Sequence, residues 1–121
     1  MEVLRNFGPE DDFLQKVRSL ATKKNIILIF DECTSGFRES FGGIHKNFNI
    51  DPDIAMFGKA LGNGYGVTAI VGRREVMEAA QNSFMSSTFW TENIGTAAAI
   101  KTLELMKKQK SWLEIKRKGQ Y

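Results

Sequence analysis

One lysine and one aspartate stand where this sequence stops being apolar. Lys59 follows "IAMFG" at 54–58 and opens the glycine-rich stretch "KALGNGYG". Asp31 follows "IILIF" at 26–30 and opens "DECTSGFRESFGG". Lysine is costly to bury and is normally a surface residue. An amine and an acid at the ends of two apolar runs have three uses. The plain one is an ion pair, or two ordinary loop residues, since charges commonly end strands. The second is phosphate binding. The third is covalent chemistry by the amine.

Phosphate binding of the nucleotide type fails on spacing. A phosphate-loop lysine needs Ser or Thr after it and a glycine five positions before its Gly-Lys pair. Here Ala60 follows Lys59, and Asp53 stands at the upstream position. A dinucleotide turn needs G-x-G-x-x-G, whereas glycines at 62, 64 and 66 are followed by Val67. Covalent chemistry needs less. A lysine in a desolvated pocket loses its proton readily and forms a Schiff base with a carbonyl. Pyridoxal-phosphate (PLP) sites pair such a lysine with an acid at the pyridine nitrogen.

These residues need elements to hold them. "GPEDDFLQKVRSLATKKN" reads as a helix, with Pro9 suited to its first turn and acids at 10–12 favouring its positive end. Phe13, Val17, Leu20 and Ala21 share one face, and Asn25 can end it. The run 26–30 reads as a strand covered on both faces. Strands at 54–58 and 67–72 follow, with a short helical turn before Pro52 between the first two. A short helix is predicted over 73–81, a loop over 82–93, and helices over 94–109 and 111–118. Helix and buried strand in alternation predict an α/β fold with a mostly parallel sheet flanked by helices. In such a sheet, ligands collect outside the carboxyl ends of the strands, where Asp31 and Lys59 fall.

Composition narrows the class. The 121 residues, 42% hydrophobic and 26% charged, suit one domain with a core. The sequence contains no bilayer-length apolar run and no signal-peptide pattern. With the single Cys33, which forms no internal disulfide, this makes a cytoplasmic protein the expectation. The net charge of +3 gathers in Lys107, Lys108, Lys110 and "KRKG" at 116–119. A solvated helix face accounts for it, and no aromatic platform or reader motif points to nucleic acid. His45 is the only histidine, so a metal site has little support and a surface loop is expected for it. The apolar start "MEVLRNF" and the stop at "KRKGQY" suggest a piece of a larger protein.

"LIFDECTSGFR" at 28–38, followed by "PDIAMFGKALGNGYGVTAIVGRREVME" at 52–78, resembles the fold-type I, class III PLP-dependent aminotransferases. The nearest likeness is to the glutamate-1-semialdehyde 2,1-aminomutase-like branch. The strand ending in Asp-Glu, the "GFR" turn, the "PD" before the next strand and the "GK" come in the family's order. "ME" at 1–2 is similar to the family's Met-Glu-Pro strand end, with Val3 for the proline. The likeness runs to about residue 110.

The resemblance implies that the chain is the central part of the PLP-binding large domain, with no second domain, and that the whole enzyme is a homodimer acting on a small amino or keto compound. It gives Lys59 the Schiff base to the cofactor and the proton transfers that follow through a quinonoid intermediate. Asp31 becomes the partner of the pyridinium nitrogen, and Cys33, where Val is usual, packs on a ring face. Thr34 would touch the ring's phenolic oxygen. Thr88, in "SSTFWTEN", would bind the cofactor phosphate of the neighbouring subunit. Trp90 and Glu92 replace small residues there, which bears on the substrate. Arg38 binds a substrate carboxylate or makes a structural ion pair. A non-catalytic α/β binding or dimerisation module that keeps the motif is the alternative.

Overall fold

The computed structural model describes residues 8–119, so the reading of Met1-Glu2-Val3 as a strand end lies outside the described residues. Helix α1 spans Phe13–Lys23. It ends as Asn25 predicts. Asn25 takes a left-handed φ of 53°, the Ile26 amide donates to the Ala21 carbonyl and the Asn25 amide to that of Thr22. This is a Schellman closure, with asparagine at the position that usually favours glycine. The covered stripe is rotated from the expected one. Leu14 and Ala21 are buried, whereas Phe13 and Leu20 are more than half exposed. Leu14, Val17, Arg18 and Ala21 follow the helical period on one side, and Phe13 and Leu20 flank it.

Three strands form one sheet in the order β1 (Ile29–Asp31), β2 (Ile54–Phe57), β3 (Ala69–Gly72). β1 and β2 are parallel, with Asp31 opposite Met56. β3 runs antiparallel to β2, with Phe57 opposite Ala69. A parallel return needs a crossover of about a dozen residues or more, usually a helix. The 58–68 connection holds only a 3-10 turn, Lys59–Leu61, so β3 comes straight back. The other strand connection carries a 3-10 turn at Ile44–Phe48.

One sheet face builds the core. Phe30, Ala55 and Phe57 are buried on it, in two clusters. One joins Ala55, Phe57, Leu61 and Ala99, with Val67 and Leu103 against them. The other joins Leu14, Phe30 and Ile50. The opposite face carries Ile29, Met56 and Ile70, all at least a third exposed. The expectation of cover on both faces is met in part: at β3 the second face meets Met77, from the helix that follows, whose Sδ stands 3.1 Å from where a Cβ on Gly72 would lie, while Ile29, Met56 and Ile70 keep partial exposure.

Helix α2 (Arg74–Ala80) follows β3. Helices α3 (Asn93–Gln109) and α4 (Ser111–Lys118) meet at Lys110, whose φ of 51° breaks the path between them. α3 approaches the sheet through small residues. A Cβ on Gly95 would stand 2.6 Å from the Gly66 carbonyl oxygen. Among the described residues no helix is long and apolar enough to cross a membrane.

Candidate active site

The register fixes the site. Asp31 ends β1, the Glu32 amide donates to the Met56 carbonyl at 2.9 Å, and Lys59 lies two residues beyond the end of β2. Both chemical groups therefore sit at one end of the sheet. Asp31 is half-buried, and its Oδ1 accepts the Cys33 amide at 3.0 Å, which sets the carboxyl against the turn that follows. Lys59 is exposed, and its Nζ donates to Thr34 Oγ1 at 2.6 Å.

The backbone around Lys59 is unusual. Its φ is 41°, a left-handed value that a side-chain-bearing residue adopts at a cost and keeps only when its surroundings impose it. The surroundings do so from both sides. Gly58 is buried so closely that a Cβ there would meet Cys33 Sγ at 2.7 Å. After Lys59, the amides of Gly62 and Asn63 both donate to its carbonyl at 3.1 Å. The loop then closes through Gly64, at φ 106°. Space also demands glycine at Gly62, where a Cβ would collide with the Tyr65 carbonyl oxygen, while a Cβ on Gly66 would meet only ordinary contact with Phe89.

Cys33 is thus brought to Lys59 through Gly58, beside Asp31. Thr88 is not. It lies exposed in the 81–92 stretch, every residue of which is exposed. That stretch forms one wall of an open cleft of about 810 Å³, with Phe89 and Trp90 facing Val67 and Thr68. Thr68 in turn borders Gly58, so the cleft starts beside the Lys59 loop. Glu92 caps α3, with Oε1 accepting the Ile94 amide at 3.0 Å. Arg38 makes no ion pair among the described residues. Its Nε donates to the Thr34 carbonyl at 2.6 Å, which staples the turn after Asp31.

The placement of His45 is a correction. It is buried, not a surface loop residue, and its Nδ1 lies 2.5 Å from Glu32 Oε1. Glu32 has no exposure at all. Its carboxyl also accepts the amides of Ile44 at 2.5 Å and His45 at 3.1 Å, and the Ser35 hydroxyl at 3.3 Å. The partner explains the burial, because an acid can enter a core when donors replace its water. Sequence reasoning passed over Glu32. The signal was the strand phase: Phe30 points inward, so Glu32, two residues on, does too.

Asp53 was missed in the same way. It is 2% exposed and ties three elements together. Oδ2 accepts the Leu28 amide and Arg18 Nη1, and Oδ1 accepts Arg73 Nη1, each at 2.8 Å. The Leu28 amide bond, then the two guanidiniums, hold its carboxyl at about 2, against the opposing effect of burial. Among the described residues no cluster of His, Cys, Asp and Glu could hold a metal ion.

A profile of the class-III aminotransferases matches residues 6–121. The 3-aminobutyryl-CoA aminotransferase of Cloacimonas acidaminovorans is 44% identical over 112 residues, which cover 92% of this chain and 27% of that protein. The glutamate-1-semialdehyde 2,1-aminomutase of Nitrosopumilus maritimus is 38% identical, over 94% of this chain and 28% of its own length. Among solved structures, the FumI protein of Sphingopyxis sp. MTA144, in its PLP internal aldimine form, superposes with a TM-score of 0.76 at 29% identity. That match covers 79% of this chain and 23% of FumI. Ornithine δ-aminotransferase of Plasmodium falciparum gives 0.76 at 26% identity, over 84% and 26% of the two chains. This chain spans about a quarter of the length of the curated relatives it matches.

Proposed function

Since this chain belongs to the class-III aminotransferases, a PLP-dependent family of α/β fold, we propose that it is the central part of a large domain that moves amino groups between small amino and keto compounds. The observation that carries this reading is the shared sheet end of Asp31 and Lys59, with Cys33 and Gly58 between them. The residues fit the cofactor. A half-buried acid, an exposed amine on an imposed backbone and a glycine without room for a side chain make a seat for a flat ring. The apolar face of Ile29, Met56 and Ile70 supports a larger domain, because such a face calls for cover.

PLP, when bound, supplies an aldehyde carbon that takes up amines and a ring that accepts electrons from a substrate carbon. Lys59 provides the amine for that carbon. When its amine is free again, it takes a proton from the substrate's α-carbon and returns one, as a general base and acid. Asp31 keeps a proton on the ring nitrogen by placing an anion beside it. Cys33 packs as a small apolar group against the ring. Thr88 donates its hydroxyl to the phosphate held by a second copy, which makes a homodimer the working form. A reducing compartment such as the cytoplasm suits the single Cys33.

The test uses the full-length protein encoded by the natural reading frame around this sequence. PLP reduced onto the protein with borohydride maps to Lys59, and Lys59→Ala takes up no covalent cofactor. Asp31→Ala retains weak PLP binding and loses most turnover. A reduced adduct on another lysine, or none, overturns the reading and favours a non-catalytic module that keeps the motif.

A further inference from the structure

We propose that Thr34 is the positioning residue for Lys59: its hydroxyl holds the ε-amine at the sheet end whenever that amine is not bonded to the aldehyde carbon of the cofactor. This rests on the reading of Lys59 given above. Lys59 is exposed, and its four-carbon stem is long and flexible. Such a side chain samples many rotamers, and a nucleophile spread over them is seldom aimed. The 2.6 Å bond to Thr34 Oγ1 selects one direction. Among the described residues it is the one hydrogen bond of that amine.

Thr34 is suited to fix a neighbour because it is itself fixed. It is half-buried in a turn held by the Gly36 amide on the Glu32 carbonyl, at 2.8 Å. Its own carbonyl accepts Arg38 Nε at 2.6 Å. Its branched Cβ leaves few χ1 choices. The chemistry of the group matters too. A hydroxyl both accepts and donates, so it can hold an ammonium and a neutral amine alike. A carboxyl in the same place would favour the ammonium and withhold the nucleophile. The carboxyl of Asp31 is instead turned onto the Cys33 amide, in the same turn. One short turn thus sets both the acid and the direction of the amine.

The experiment follows PLP uptake by the full-length protein, freed of cofactor, in a rapid-mixing spectrometer. Each sample is then reduced with borohydride, and the labelled peptide is identified. Thr34→Val keeps the shape and removes the hydroxyl, Thr34→Ala is a second hydroxyl-free variant, and Thr34→Ser restores the hydroxyl. Loss of one charge-assisted hydrogen bond predicts uptake slowed about tenfold in the Val and Ala variants. Thr34→Ser should return the wild-type rate. The same order is expected when trinitrobenzenesulfonate arylates Lys59 in the cofactor-free protein, the amine displacing sulfite from the ring carbon, a readout independent of turnover. Wild-type rates in both hydroxyl-free variants, with the adduct on Lys59, overturn this inference and leave the functional reading intact. Slowed uptake that Thr34→Ser does not rescue also overturns it, since shape and not the hydroxyl would then be responsible. An adduct on another lysine in the wild type defeats the functional reading first.

Discussion

The turns at 31–45 and the stretch at 81–92 both carry candidate site residues, yet they are held in opposite ways. In the first, Glu32 is fully buried, four donors converge on it, and Asp31, Cys33 and Thr34 inherit their places from it. In the second, Thr88 stands among residues that are all exposed, with Phe84 at 95%. Its hydrogen bonds are local, such as Trp90 to Ser87 and Glu92 to Phe89. The difference teaches where each position comes from. Asp31 and Lys59 are placed by contacts inside this sequence, and substitutions around them should register as stability. Thr88 is exposed, and on the proposed reading its substitution should register only in binding.

The sharpest way to break that contrast is Glu32→Ala in the full-length protein. It strands two amides and the His45 imidazole in the core, a loss of about 4 kcal/mol. Thermal unfolding of the cofactor-free protein measures it. A loss no larger than that of an ordinary surface substitution would mean that the two regions do not differ as argued. Asp53→Asn comes next. The wild-type carboxyl titrates at about 2, below its ordinary 3.8. A lowered value stabilises the fold above the unfolded value and loses that support as pH falls through the folded one. For a shift of this size the contribution is about 2 kcal/mol, lost between about pH 4 and pH 2. Urea unfolding across that range should show the loss in the wild type, and the Asn variant should lack it.

What the sequence disclosed follows the same division. The placement of Lys59 and Asp31 at one sheet end was legible because each follows an apolar run. Asn25 and Gly64 were legible because left-handed backbone leaves few residue choices. The direction of β3 was not, since its apolar run reads the same both ways and only the helix-free connection at 58–68 decides it. The Glu32–His45 pair was hidden by its separation. The two residues stand thirteen positions apart, and the buried phase of Glu32 shows only when the strand is continued past Phe30. The face of α1 was misread because Phe13 and Leu20 are apolar yet stay more than half exposed within residues 8–119.

The smallest stability effect is expected at Thr88, and it sharpens the comparison most. An exposed threonine in a turn contributes within about 0.5 kcal/mol, so Thr88→Ala should unfold with the wild type. If Thr88 donates to the phosphate of PLP held by a second copy, the same change removes a hydrogen bond to a charged group. Such bonds contribute about 1.5 kcal/mol or more, which is about tenfold or more in PLP affinity. Equilibrium titration of the cofactor-free dimer measures it, beside thermal unfolding of the same sample. A drop in affinity with no drop in stability assigns Thr88 to the site from outside its own surroundings. A drop in stability without one would make Thr88 part of the scaffold, and the 81–92 stretch would then be held from within like the turns at 31–45. A mixed subunit test separates the two copies: pairing Thr88→Ala with Lys59→Ala chains should leave sites in which one defect spares the other's partner. In such a heterodimer the site that keeps Lys59 faces the Thr88 of its partner, so it should bind PLP with wild-type affinity. If Thr88 served its own copy instead, that site would carry the weakened affinity.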